Sequence, residues 1–391
     1  METSSRNRTF LVLLVVVIPL SLSACRKASA IQAADSSQQR GEVDDEKEKK
    51  EPASARALPV RVVRRGGSRL DWCAGTNLLA FDVLGKDGYF DVHTMKPDGA
   101  EDRCVSCDVP GLPRRHVGQP AWHPSCRYLV VQAEKQEHIK IRFSPALRPG
   151  AGVLNDLWLI DLEKEEAHPL YQVKDERGQG TLHSHFSDDG RKLSWSEMLD
   201  KGGFKKGKEL GYWKLMTADF DMVGGKPALS NLRSFTPGGD GFYENHGFSP
   251  DGEKLSYSST TDSKRFINNI YVLDLASGRA TQLTDSGYNE HAIFSPDGKR
   301  IVWISTTGNK GGTDYWLMNA DGSGKRRLTF FNQKGHPHYA GRRVVVADFA
   351  WSPDGKSIAG YYRAGGAIES LEDEVQIVTV DLADELGSPA K

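Results

Sequence analysis

The sequence predicts an all-β protein, a six-bladed β-propeller over residues 58–391 whose ring is closed by its own N-terminal strand, and three observations carry that prediction. One unit recurs along the chain: an aromatic residue, a tight turn, then short alternating strands. Its aromatic residues, Trp72, Trp122, Phe186, Phe248, Phe294 and Trp351, are separated by roughly 45–65 residues, which suits one four-stranded sheet with its loops. The last unit holds three strands where the others hold four, and an unclaimed strand stands ahead of the first unit.

That unclaimed strand is residues 58–63. Pairing it with the last strand, residues 375–382, pins the two ends together and removes the free sheet edge. FSDDGRKLSWSE from Phe186 and WHPSCRYLVVQAE from Trp122 are degenerate copies, and WCAGTNLLAFDV from Trp72 is recognisable mainly by its register. The clearest copies are FSPDGEKLSYSS, FSPDGKRIVWIS and WSPDGKSIAGYY, from Phe248, Phe294 and Trp351. Within the turn, proline presets the first position, aspartate hydrogen-bonds to nearby backbone, and glycine takes the positive φ that sends the chain straight back. The strand that follows alternates Ile301, Trp303 and Ser305 with Val302, Ile304 and Thr306, and both sets are largely apolar. A sheet packed between two others needs apolar residues on both faces, whereas a sheet with one face in water does not. Third strands follow at 269–275 and 315–319, and fourth strands at 280–283 and 326–328. A sandwich pair is the alternative architecture, but it carries no fixed turn motif at this period.

Ahead of the propeller, Arg6 and Arg8 precede an apolar run from Phe10 to Leu22 that stops at Ser23-Ala24-Cys25. This reads as a lipoprotein signal peptide over residues 1–24, with Cys25 as the lipidated residue. The arginine after that cysteine favours the outer membrane, at its periplasmic face or at the cell surface. Residues 25–57, with the charged run 42–51, contain nothing that can build a core and read as a disordered tether. With 51 Lys+Arg against 52 Asp+Glu, the chain has no bulk charge that would draw nucleic acid, and a mean hydropathy of −0.50 excludes a polytopic membrane protein. The membrane is therefore a partner through the lipid alone, and the propeller reads as a monomer.

The repeated SPDGK turns, followed by endings such as Leu283-Thr284, Leu328-Thr329 and Asp274-Leu275, resemble the TolB-like propeller repeat, also called the WD40-like PD40 repeat. The resemblance spans residues 58–391. It implies a periplasmic or cell-surface propeller used mostly for protein contacts. TolB carries an α/β domain ahead of its propeller, and here residues 26–57 stand in that place, a departure that argues against the Tol-system component itself.

Catalytic signatures are scarce. No Gly-x-Ser-x-Gly elbow, His-Glu-x-x-His zinc motif or Walker-type phosphate loop occurs in the sequence. The histidines are more informative. His183, His185, His246 and His291 each lie within three residues before a blade's aromatic residue, His336 and His338 lie in the loop entering the last blade, and Tyr243-Glu244-Asn245-His246 nearly repeats as Tyr288-Asn289-Glu290-His291. Loops entering the inner strands gather at one mouth of a propeller, so His183, His185, His246, His291 and His336 are expected to converge there, with Glu244 and Glu290 nearby. The favoured reading is hydrogen bonding between neighbouring blades. The alternative is a divalent metal site, for manganese, calcium or zinc. Gln333-Lys334-Gly335-His336-Pro337-His338 resembles the Gln-x-x-His-x-His metal-binding stretch of oligogalacturonate lyases, seven-bladed propellers with a manganese site, in which His291 or His246 would supply the further histidine. That resemblance makes a metal-dependent polysaccharide lyase the runner-up to a non-enzymatic module binding an envelope protein or polysaccharide. No general base for β-elimination is apparent in the sequence. Specificity is expected in the insertions at 135–155 and 201–209.

Cys73, Cys104, Cys107 and Cys126 all fall in the first two blades. In an exported chain they read as disulfides, with zinc as the alternative at Cys104-x-x-Cys107. Cys73 and Cys126 occupy corresponding turns of adjacent blades and are suited to pair.

Overall fold

The computed structural model describes residues 57–137, 145–176, 178–199, 211–260, 267–309, 311–365 and 374–386. Cys25, the signal peptide, most of the tether and the 201–209 insertion lie outside the described residues. Among the described residues no helix is long and apolar enough to cross a membrane.

The chain forms six four-stranded antiparallel sheets arranged as a six-bladed propeller. Their inner strands are Ser68–Cys73, Val117–Trp122, Thr181–Phe186, Tyr243–Phe248, Asn289–Phe294 and Val344–Trp351, and consecutive inner strands touch in a closed ring. The outer strand of blade 6 is Val60–Arg65, which pairs antiparallel with Glu374–Asp381, so the first strand completes the last blade. Pairing starts two residues later than the sequence suggests. Leu58 serves instead as a core residue, 4% exposed and packed among the side chains of blades 5 and 6.

The two-sided apolar pattern is used as expected. In blade 5, Val302 and Ile304 pack toward Val344, Val346 and Phe349 of blade 6, while Ile301 and Trp303 pack toward Ile270 and Leu283 of blade 4. Burying each such side chain stabilises by about 1.5–3 kcal/mol, so the core lies between the blades.

Each intact turn is stitched in the same way. In blade 4, Ser249 Oγ donates to Asp251 Oδ1 at 2.5 Å and accepts the Lys254 amide at 3.0 Å, while Gly252 sits at φ 69°. Ser187, Ser295 and Ser352 repeat the arrangement with Asp189, Asp297 and Asp354. These turns also meet between blades: a Cβ at Gly298 would lie 3.6 Å from Pro250, and one at Gly355 would lie 3.6 Å from Pro296. Blade 2 places Cys126, φ 58°, at the glycine position, and a disulfide joins it to Cys73 of the blade 1 turn. A second disulfide joins Cys104 and Cys107.

Candidate metal centre

Every inner strand breaks its ladder register, between Ser68 and Leu70, Gly118 and Ala121, Leu182 and His185, Asn245 and Phe248, Glu290 and Ile293, and Val346 and Phe349. A bulge re-aims the side chain it carries. Among the residues within these irregularities are Arg69, Gln119, His183, His246, His291 and Asp348, one from each blade. Gln119, His183 and His291 hold positive φ values of 48°, 51° and 51°. In blade 4 the positive φ falls on Gly247 instead. A non-glycine residue in this region costs of order 1–3 kcal/mol, a cost that concentrates at functional sites.

Three of these side chains meet as a cluster. The rings of His183 and His291 lie 5.3 Å apart, His246 and His291 5.5 Å, and His183 and His246 6.0 Å. His183 Nε2 is 2.6 Å from Glu244 Oε1, and Asp348 Oδ1 lies 3.8 Å from His183 Nδ1 and 3.7 Å from His291 Nδ1. His246 Nε2 accepts the His291 amide at 3.1 Å. One donor atom from each of His183, Glu244, His246 and His291 falls within 4.8 Å of all the others.

The carboxyl groups here are crowded. Burial foremost pushes Glu244 up to about 7, and burial together with the adjacent Glu244 holds Glu290 well above the usual carboxylate range. Tyr288 donates its hydroxyl to Glu290 at 2.6 Å. Burial likewise depresses His183, His185 and His246. These directions agree with a proton held on Glu244 and donated to His183. For Asp348 burial acts upward, but the neighbouring His291, His183 and Arg69 outweigh it and keep the carboxyl below its ordinary value. Arg69 is committed elsewhere, to the fully buried Asp82 at 2.6 Å, and Asp82 also accepts Ser68 Oγ at 2.5 Å and the Gln119 amide at 3.0 Å. Glu244 and Glu290 are thus buried and Asp348 half-buried, and none of the three carboxyl groups has a lysine or arginine ion pair among the described residues.

A cavity of about 50 Å³ borders the cluster, between His183, Glu244, His291 and the strap Arg148-Pro149-Gly150. A water molecule needs roughly 10–15 Å³ of such space, so the cavity has room for an ion with a few waters or one small group. The strap is fixed by the Gly150 amide, which donates to Gln132 Oε1 at 3.0 Å, and a Cβ at Gly150 would lie 3.0 Å from Arg69 Cδ.

His183, His246, His291, Glu244 and Glu290 are brought together, and His185 lines a smaller adjoining cavity with Gln119 and His246. Gln333, His336 and His338 do not join them, which corrects the expected convergence of His336. The His336 ring stacks on Phe330 at 4.4 Å. His338 accepts the Phe330 amide at Nδ1, 3.3 Å, and donates Nε2–H to the Leu58 carbonyl at 2.8 Å. The Gln-x-x-His-x-His stretch therefore latches the N-terminal segment. Arg69, Gln119, Asp82 and Asp348 were missed by a search for histidines. Position offered a signal: Arg69, Gln119, His183, His291 and Asp348 each stand three residues before the aromatic residue of their blade.

A family model described as the TolB β-propeller domain, PD40, matches residues 172–385. The chain belongs to the TolB β-propeller family. No curated protein matches it. Similar solved structures include TolB from Acinetobacter baumannii, at 14% identity and TM-score 0.48, covering 83% of this chain and 65% of that one. Putative TolB from Agrobacterium tumefaciens is 18% identical with TM-score 0.47, covering 80% of this chain and 85% of that chain. An oligogalacturonate lyase in complex with manganese is 14% identical with TM-score 0.47, covering 85% of this chain and 100% of that chain. The chain spans about two thirds of the length of the Acinetobacter protein, at 65%.

Proposed function

We propose that this TolB-family propeller is an exported binding module of the cell envelope, tethered through lipid on Cys25, whose channel holds a divalent transition-metal ion between His183, Glu244, His246 and His291. The observation that carries the metal reading is the donor set, whose atoms lie within 4.8 Å of one another beside carboxyl groups that no lysine or arginine pairs among the described residues. Tetrahedral donors about 2 Å from an ion sit roughly 3.3 Å apart, so modest side-chain movement closes the site. The ion takes over from the His291 amide as the partner of His246 and from the proton between Glu244 and His183. Three imidazoles with one carboxylate favour zinc or a similar borderline ion and disfavour calcium, which takes oxygen ligands. The disulfides and the family support export.

A lyase reading is less well supported, because the Gln-x-x-His-x-His stretch on which it rests lies outside the cluster, with His336 stacked on Phe330 and His338 bonded to Leu58. Binding is tested by titrating the purified chain with Zn²⁺ and Mn²⁺. One equivalent of Zn²⁺ is expected, with affinity falling at least 100-fold in a His183→Ala/His246→Ala variant. Equal binding by that variant rejects the site. Metal-dependent turnover of an oligouronide would overturn the non-enzymatic reading. Cys25→Ser should move the protein from the membrane to the soluble fraction, and unchanged partitioning removes the anchor. The partner class is tested by capture of envelope proteins on the purified propeller, with a polysaccharide array in parallel.

A further inference from the structure

A second group of metal-binding side chains lies far from the channel, on the outer edge of blade 1. There Phe90–Met95 pairs with Arg103–Cys104 and sets His93 directly opposite Cys104. One ring nitrogen of His93 and the sulfurs of Cys104 and Cys107 fall within 4.8 Å of one another. The two sulfurs are joined as a disulfide, and its surroundings differ from those of Cys73–Cys126 in three ways.

Access is the first. Cys73 and Cys126 are 2% and 9% exposed, whereas Cys107 is exposed and Cys104 half-buried, within reach of an external thiol. The second is what each bond constrains. A bridge across 53 residues restricts the unfolded chain strongly, but one across 3 residues closes a loop too short to contribute comparably. The third is that the loop stays in place without the sulfur–sulfur bond. The Val105 amide donates to the Val92 carbonyl at 2.8 Å, and Ser106 Oγ accepts the Val92 amide at 2.8 Å, so both residues between the cysteines are tied to the strand that carries His93.

The ligand groups are also prepared. The Cys107 amide donates to Cys104 Sγ at 3.1 Å, a bond that stabilises negative charge on a thiolate. His93 Nδ1 lies 2.7 Å from Asp102 Oδ1, and Asp102 is itself fixed by Arg64 Nε at 2.8 Å. An imidazole oriented through one nitrogen by a carboxylate offers the lone pair of the other to a metal, an arrangement that recurs behind zinc-bound histidines.

We propose that Cys104, Cys107 and His93 form a redox-gated site for a thiophilic divalent cation, closed as the disulfide and open as the dithiol. A dithiol reductant, R(SH)₂, transfers two electrons to the sulfur–sulfur bond and becomes a disulfide, while its two protons pass to Cys104 and Cys107. The cation then displaces those two protons and binds two thiolates and neutral His93, with water in the fourth position. This site is independent of the channel reading.

The test uses the full chain carrying His183→Ala/His246→Ala, so that failure of the channel site does not affect the outcome. Mild reduction followed by alkylation and peptide mass spectrometry should label Cys104 and Cys107 before Cys73 and Cys126. Reduced, unalkylated protein should bind one equivalent of Zn²⁺, and Co²⁺ in its place should give a thiolate-to-cobalt charge-transfer band. The oxidised protein should show neither. Asp102→Asn should weaken binding about 10–100-fold while circular dichroism stays unchanged. Cys104→Ser/Cys107→Ser should abolish the cobalt band. The proposal is overturned if the bond resists reduction while the fold persists, if the reduced folded protein binds no ion, or if the double serine variant binds as tightly as its parent.

Discussion

Two places in the ring solve one packing problem differently. Where blade 5 meets blade 4, Gly298 of one turn faces Pro250 of the other, at a separation that would bring a Cβ to 3.6 Å from the proline ring, with no covalent link. Where blade 2 meets blade 1, the same contact is covalent, with Cys126 at the glycine position and Cys73 at the serine position of the turn. The blade 4 turn needs no staple, because Ser249 and Asp251 close it from within. In blade 2, His123 and Ser125 make a substitute bond of 2.8 Å, and in blade 1 the serine is absent. The turn motif and the disulfide are thus alternative ways of holding neighbouring turns. The family match begins at residue 172, past the stapled pair.

The largest loss is expected at the buried ion pair of the first blade. Asp82→Asn leaves Arg69 buried and unpaired and should cost about 3–5 kcal/mol in denaturant unfolding; a loss below 1 kcal/mol would show that the channel wall relaxes around it. Cys73→Ser/Cys126→Ser should cost about 4 kcal/mol, the chain-entropy value for a loop of 53 residues. Little change in the midpoint would mean the turns hold without the bond.

Acid should act on the first blades as well. His116 accepts the Phe90 amide at Nδ1, 3.2 Å, and burial, followed by Arg148, Arg69 and Arg115, pushes its imidazole down to about 4. The unfolded chain binds this proton near pH 6.5, so its contribution is complete above that value and is lost as pH falls toward 4, by about 3 kcal/mol. His116→Asn keeps an acceptor without the charge, and its melting temperature should depend less on pH between 6.5 and 4. Parallel curves would reject the assignment. The smallest effect belongs to the intact turn: Ser249→Ala removes two hydrogen bonds of one buried hydroxyl and should cost about 1 kcal/mol. A loss as large as that of the disulfide would remove the distinction between the two solutions.

Much of this architecture is readable in the residues. The aromatic–turn–strand unit and the missing fourth strand specify the ring, because turn chemistry and two-sided burial are local properties. The histidines of blades 3 to 5 were found because their chemistry is conspicuous. Asp348, Arg69 and Gln119 occupy the equivalent place in blades 6, 1 and 2 but differ in residue type, and no local rule reports that bulges in six separate strands aim at one axis. His336 and His338 misled for the opposite reason. The motif has metal-ligand spacing, but its neighbours Phe330 and Leu58 determine its use.

Ring closure by the first strand also determines how the molecule responds to a pull. Val60 stands opposite Val380 and Arg65 opposite Gln376, so both ends of the chain leave the last blade on the same side. Tension between those ends loads the ladder like a zipper, one hydrogen bond at a time, and never shears all of them together. The bond from His338 to the Leu58 carbonyl bears the load first. Opening should therefore begin at blade 6 under modest force, while blades 1 and 2 stay joined at Cys73 and Cys126, so that a strained molecule loses its clasp long before it loses its first two blades.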